Sequence, residues 1–123
     1  MKTLKLYTAI LFSIFTINAA TAQTKSESIK VWGNCEMCKA KIEKAAKAAG
    51  ATKASWSDES LLLQVSYDAK KTSNPKIQQA VAKAGYDTQD YTADYTAYKR
   101  LPGCCQYDRK NAPVNAVDSA RKN

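Results

Sequence analysis

Between Ser28 and Thr92 the spacing of apolar residues alternates between two periods, and the order of those periods narrows the possible folds more than any other feature of the chain. Ile29 and Val31 flank Lys30, the alternation of a short half-buried strand that ends at Gly33-Asn34. From about Cys38 the period lengthens: Cys38, Ile42, Ala45, Ala46 and Ala49 fall on one helical stripe, and Gly50 supplies the stop. Thr52, Ala54 and Trp56 then alternate with Lys53 and Ser55. After the polar turn Ser57-Asp58-Glu59-Ser60, the residues Leu61, Leu63, Val65 and Tyr67 share one face of a further strand. The second helix is the best-marked element. Asn74 suits its N-cap and Pro75 its first position, Ile77, Ala80, Val81 and Ala84 make the buried stripe, and Gly85 ends it. Tyr86 to about Asp90 completes the series as a last strand.

Strand, helix, strand, strand, helix, strand is the order of a split βαβ unit. The predicted fold class is therefore α+β: a ferredoxin-like βαββαβ sandwich over residues 28–92, with a four-stranded antiparallel sheet and two helices on one face. Residues 93–123 form a C-terminal extension of different character. Tyr91, Tyr95 and Tyr98 recur at helical spacing and are expected to lay one aromatic face on the domain. Leu101-Pro102-Gly103-Cys104-Cys105-Gln106-Tyr107 is a turn carrying a cysteine pair, and after Lys110 the polar, small composition predicts a disordered end.

The other end reads as an export signal. Lys2 and Lys5 precede an apolar run from Leu6 to Ile17, and Ala20-Thr21-Ala22 has the small-x-small pattern of a cleavage site, so residues 1–22 are expected to be removed. The apolar run is short for a membrane span of about 20 residues. No cysteine follows the cut to carry a lipid anchor, which predicts a soluble periplasmic protein, not membrane-embedded, starting near Gln23. Without Lys2 and Lys5, the 19 basic residues fall to 17 against 11 acidic, a net charge near +6. That charge is spread over helices and tail without a basic block or interleaved stacking aromatics, so a nucleic-acid site is not expected.

The chemistry is confined by what is missing. The chain has four cysteines, Cys35, Cys38, Cys104 and Cys105, and no histidine. A metal site must then be built from thiolates, with carboxylates or Met37 as weaker options, which favours soft ions. Cys35 and Cys38 lie in Gly33-Asn34-Cys35-Glu36-Met37-Cys38-Lys39, the loop between first strand and first helix. There the helix N-terminus, with Lys39 and Lys41, favours the thiolate form. Two thiolates suit Cu(I), Ag(I) or Hg(II), whereas structural zinc, which takes four closed ligands, is underserved. The bland reading of the same pair is a structural or redox disulfide, and that of Met37 is a loop residue packing on the surface. Cys104-Cys105 leaves three readings open: a vicinal disulfide, a disulfide to other cysteines, or further metal ligands folding back toward the first pair.

The element order, the Cys-x-x-Cys in the first strand-helix loop and Ala84-Gly85-Tyr86-Asp87 after the second helix resemble the heavy-metal-associated domain family. That family includes copper chaperones, the amino-terminal domains of metal-pumping ATPases and periplasmic mercury-binding proteins. The resemblance covers Ser28 to Thr92. It implies a ferredoxin-like fold, metal held by Cys35 and Cys38, and transfer by ligand exchange, and it sets Tyr86 close to the metal loop, where packing is its expected role. Family members usually carry methionine two residues before the first cysteine, plugging the core beneath the loop. Here that position is Gly33, and Trp32 or Met37 is expected to supply the contact.

The function expected is a non-enzymatic, exported metal carrier or scavenger. It takes Cu(I) foremost, or Hg(II) or Ag(I), on Cys35 and Cys38 with Cys104 and Cys105 as further ligands. It works as a monomer and passes the ion to a metal-transporting membrane protein or another carrier. The alternative of a different class is a periplasmic thiol-disulfide oxidoreductase attacking through Cys35. Against it, thioredoxin-like enzymes resemble Trp-Cys-x-x-Cys with a later proline beside the site, while Pro75 here opens a helix.

Overall fold

A computed structural model of the chain describes residues 23–110. The expected export signal and the end after Lys110 lie outside these residues. The described elements are strand β1 (Thr24–Lys30), helix α1 (Glu36–Ala48), strands β2 (Ala51–Trp56) and β3 (Leu62–Asp68), helix α2 (Asn74–Lys83), a short helix α3 (Tyr95–Lys99) and a 3-10 turn (Gly103–Cys105). The strands form an antiparallel sheet in the order β1-β3-β2, with Ile29 and Trp56 both opposite Leu63. No helix among the described residues is long and apolar enough to cross a membrane.

Period two gives the sheet its two faces. Leu63, Val65 and Tyr67 point into the core with Ile29 and Trp56 beside them. The other face is polar and stitched by Ser26 to Ser66 (Oγ–Oγ 3.0 Å) and by the Ser28 hydroxyl donating to Gln64 Oε1 (3.0 Å). A shift of register between Ala51 and Lys53 leaves Thr52 exposed, so Ala51 rather than Thr52 opens the inward series of β2. The helices cover the apolar face. Cys38, Ile42 and Ala46 of α1 and Ile77, Gln78, Val81 and Ala82 of α2 are buried. Each large apolar side chain so covered contributes about 1.5–3 kcal/mol. Gly50 and Gly85, both at φ 110°, end the two helices in the left-handed region that a side chain resists.

Two expectations need correction. The N-cap of α2 is Ser73, whose hydroxyl accepts from the Lys76 N–H; Asn74 is instead drawn to β1, donating from Nδ2 to Glu27 Oε2 at 2.9 Å. The fourth strand, expected over Tyr86 to Asp90, shrinks to one antiparallel bridge between Val31 and Thr88. Trp32 N donates to the Asp87 carbonyl and Gln89 N to that of Lys30 on either side of it. The ladder goes no further because its next groups are committed elsewhere. The Lys30 N–H goes to the Gln89 side chain, and the Thr88 N–H to the Tyr91 carbonyl, which turns the chain away. Buried Gln78 fixes this turn by accepting from the Thr88 hydroxyl (2.8 Å) and the Asp90 N–H (3.1 Å).

The extension is part of the same core. Leu101, Cys105 and Tyr107 are buried with the sheet and helix residues. Only one of the three tyrosines reaches that core in the expected way. The Tyr98 ring meets Tyr107 edge-on at 5.2 Å, whereas Tyr95 is 59% exposed and Tyr91 precedes α3. Helical spacing misled because the helix begins only at Tyr95.

Candidate metal centre

Two parts of the chain, far apart in sequence, meet at the start of α1. Cys35 is the N-cap of α1, in extended backbone, so its side chain leaves the loop beside the first helical turn, where Cys38 points inward. The Sγ atoms of Cys35 and Cys38 are 3.3 Å apart. Cys105, on the 3-10 turn, brings a third sulfur 3.6 Å from Cys35, and all three sulfurs lie within 4.8 Å of one another. Cys38 and Cys105 are fully buried and Cys35 half-buried. The Cys38 thiol donates to Asn34 Oδ1 at 3.2 Å. Cys104 stands outside this group on the exposed side, 3.9 Å from Cys105 and 3.5 Å from Met37 Sδ. All four cysteines are free thiols in the structure.

What holds Cys105 over the first pair is a set of contacts around Asp87. This fully buried carboxylate accepts from Arg109 through Nε at 3.1 Å and Nη2 at 2.7 Å, and from the Ala93 N–H at 2.8 Å. The second contact of Arg109 Nη2 is the Ala93 carbonyl. Tyr107 donates its hydroxyl to the Gly85 carbonyl (2.7 Å) and accepts from the Asp87 N–H (2.6 Å), while Tyr98 Oη donates to the Tyr107 carbonyl (2.7 Å). Tyr107 also stacks on Tyr86, ring centres 5.6 Å apart. None of this was derived from the sequence. In the sequence Asp87 stands out only as part of Ala84-Gly85-Tyr86-Asp87, and nothing in the spacing pairs it with Arg109.

The floor of the site also differs from expectation. Met37 is 50% exposed and does not fill the space beneath the loop, whereas Trp32 packs partly buried against the core. A Cβ at Gly33 would lie 3.0 Å from two ring atoms of Trp56 and 3.2 Å from Ile42 Cδ1. The indole of β2 therefore occupies that space and leaves room only for glycine above it. Trp56 is locked there from several sides: Nε1 donates to the Val31 carbonyl (3.0 Å), its N–H to Glu43 (3.0 Å), and its carbonyl accepts from Lys39 Nζ (2.8 Å). Lys39 is thus tied to Trp56 and Glu43, and the thiolate is favoured by other groups. Burial pushes the Cys35 thiol up, but the backbone of Cys38, the thiols of Cys38 and Cys105 and the backbone of Met37 together bring it below its ordinary value. Cys105 moves the opposite way, up to about 12, because it is desolvated and donates toward the neighbouring sulfurs. Beside Cys38 and Cys105, the Tyr86 hydroxyl is buried with no hydrogen-bond partner among the described residues, and desolvation, then the neighbouring Cys38 and Cys105, raise its pKa strongly. An orphaned hydroxyl costs about 1–3 kcal/mol. Its O–H is positioned to donate to sulfur once that sulfur is charged.

Metal–thiolate bonds of about 2.3 Å set the sulfurs of a trigonal ion roughly 4 Å apart. The observed spacings, 3.3 and 3.6 Å with an outer bound of 4.8 Å, reach that by shifts of about half an ångström. An antiparallel α+β sandwich with a Cys-x-x-Cys at the mouth of its first helix defines a thiolate-based metal-binding module. No protein-family model and no curated protein matches the chain. Solved structures do. The chain is similar to the CopZ metallochaperone, with 30% identity and a TM-score of 0.50 over 52% of this chain and 98% of that one. It is likewise similar to oxidised MerP from Ralstonia metallidurans CH34, with 31% identity and a TM-score of 0.51 over 54% and 94%. The chain belongs to the heavy-metal-associated domain family. Both relatives are spanned almost end to end, so nearly half of this chain has no counterpart in either.

Proposed function

We propose that the chain is an exported, monomeric and non-enzymatic carrier or scavenger of a soft metal ion, Cu(I) foremost, with Hg(II) and Ag(I) sharing the same chemistry. Cys35, Cys38 and Cys105 hold the ion as thiolates, and Cys104 joins them during exchange. The observation that carries this reading is the meeting of three sulfurs within 4.8 Å. Likeness to the CopZ metallochaperone supports it. Three thiolates and no histidine favour Cu(I) over zinc, which would need a fourth ligand to close. Of the three holding sulfurs, Cys35 is the one already biased toward thiolate. Cys38 and Cys105 lose their protons as they bind, so loading releases protons and weakens as pH falls. Release runs by the reverse exchange, to a metal-transporting membrane protein or another carrier whose thiol enters before the last sulfur leaves.

The test is X-ray absorption on reduced protein given one equivalent of Cu(I) without oxygen. Wild type is expected to show three sulfur neighbours, and Cys105→Ser two. Two neighbours in both proteins, or no bound copper, refutes the reading. The second reading, a thiol-disulfide oxidoreductase, has one observation in its favour, the 3.3 Å contact between the low-pKa Cys35 and Cys38. It predicts turnover of a mixed disulfide at Cys35 that persists when Cys105 is replaced.

A further inference from the structure

The sulfurs do not end at the buried trio. Each sulfur lies within 4 Å of the next along one line: Met37 to Cys104 at 3.5 Å, Cys104 to Cys105 at 3.9 Å, Cys105 to Cys35 at 3.6 Å and Cys35 to Cys38 at 3.3 Å. Accessibility changes along the same line. Met37 is 50% exposed and Cys104 is exposed, Cys35 is half-buried, and Cys105 and Cys38 are fully buried. The half-exposed methionine at the first turn of α1 turns its sulfur toward a thiol from the other end of the fold.

We infer that Met37 and Cys104 form a second, outer Cu(I) site, a thioether–thiolate station through which the ion enters and leaves the buried one. The inference rests on the reading that Cys35, Cys38 and Cys105 hold the ion. Thioether and thiolate together select Cu(I) among biological ions. Thioether is the weaker ligand of the two, so the outer site binds briefly and lets go. Transfer inward is ligand exchange without redox change. Cu(I) stays Cu(I); the Cys105 sulfur binds it as Met37 leaves, and Cys35 binds as Cys104 leaves. Cys38 completes the centre, and of the protons lost from Cys105 and Cys38 one is regained by Cys104 and the other passes to solvent.

The station predicts a change in rate without a change in affinity. Reduced protein loaded with one equivalent of Cu(I) is mixed in a stopped-flow cell with excess bathocuproine disulfonate, and release is followed by the colour of the chelate. Met37→Leu, which conserves volume, and Cys104→Ser are compared with wild type, with affinity measured by competition and sulfur number by X-ray absorption. Both changes fall on exposed residues, and thermal melts confirm that the fold is kept. The expected result is release slowed by about ten-fold or more in each variant, with affinity within about three-fold of wild type and three sulfur neighbours retained. Release at the wild-type rate overturns the outer site while leaving the buried one standing. Affinity falling in step with rate also overturns it, because Cys104 would then belong to the holding site. A wild-type protein without a three-sulfur centre overturns both readings.

Discussion

Arg109→Met separates the holding of the tail from the holding of the metal. Arg109 lies four residues beyond Cys105 and pairs with Asp87 through two hydrogen bonds of 2.7 and 3.1 Å. The Asp87 side chain is 1% exposed and that of Arg109 is 18% exposed, so the pair counts as buried. Removing one partner of a buried pair costs about 3–5 kcal/mol, because the other charge is left uncompensated. The Ala93 N–H still reaches the carboxylate at 2.8 Å, which argues for the lower end. A loss of about 3 kcal/mol lowers the docked fraction of the tail relative to the lifted one roughly a hundred-fold. The amides of Leu101 to Tyr107 should then exchange with deuterium about a hundred-fold faster while those of β3 stay protected, and Cu(I) should show two sulfur neighbours for a larger share of the protein. Asp87→Asn removes the buried charge itself and should cost less, about 1–3 kcal/mol. The double variant should recover part of the loss of Arg109→Met, since no unpaired charge remains. Wild-type exchange rates across Leu101 to Tyr107 in Arg109→Met would refute the claim that this pair anchors the tail.

Three further outcomes follow from the same geometry. A Cβ at Gly85 would sit at φ 110° and 2.9 Å from the Ala97 carbonyl. Gly85→Ala should therefore cost at least about 1 kcal/mol and lower Tm by roughly 5 °C or more, and an unchanged melt means the contact with α3 is not made. Tyr86→Phe removes a buried hydroxyl without a partner, so urea titration of the metal-free protein should show equal or greater stability, while Cu(I) leaves faster; a clear loss of metal-free stability contradicts this. In alkylation followed by mass spectrometry, Cys35, whose pKa lies below its ordinary value, should be labelled at lower pH than a free thiol at about 8.5. Cys105, pushed up to about 12, should stay unlabelled near neutral pH, and the reverse order refutes the assignment.

The sandwich was legible in the sequence wherever periodicity alone decides the outcome. Leu63, Val65 and Tyr67 alternate into the core, and Ile77 and Val81 recur at helical spacing, as expected. The last strand was not legible, because its extent depends on competition for single N–H groups by Gln89 and Tyr91, which no period encodes. The Cys-x-x-Cys loop announced itself. Its setting did not: Gly33 is small because Trp56 arrives from another strand, a fact visible only in three dimensions. The third sulfur was anticipated as one of several options for Cys104-Cys105. What separates the two, Cys105 inward and Cys104 outward, is fixed by the Asp87, Arg109 and Tyr107 contacts, and these residues are unremarkable in sequence.

The contact between Cys35 and Cys105 joins positions 70 residues apart, and that distance gives the site a history within each molecule. Closing a long loop is entropically unfavourable until the surfaces at its ends can reward it. The sulfurs of Cys35 and Cys38 come together as soon as the first turn of α1 forms, a local event. Cys105 depends on long-range contacts, among them Asp87 with Arg109, so its arrival is expected after that local pair forms. A young chain thus offers an open two-sulfur clip, and a mature one a closed three-sulfur grip. On the proposed function, metal met before maturity would have two sulfurs to bind and metal met afterwards three. The number of sulfurs that an ion would find there is thus a record of whether the tail has docked.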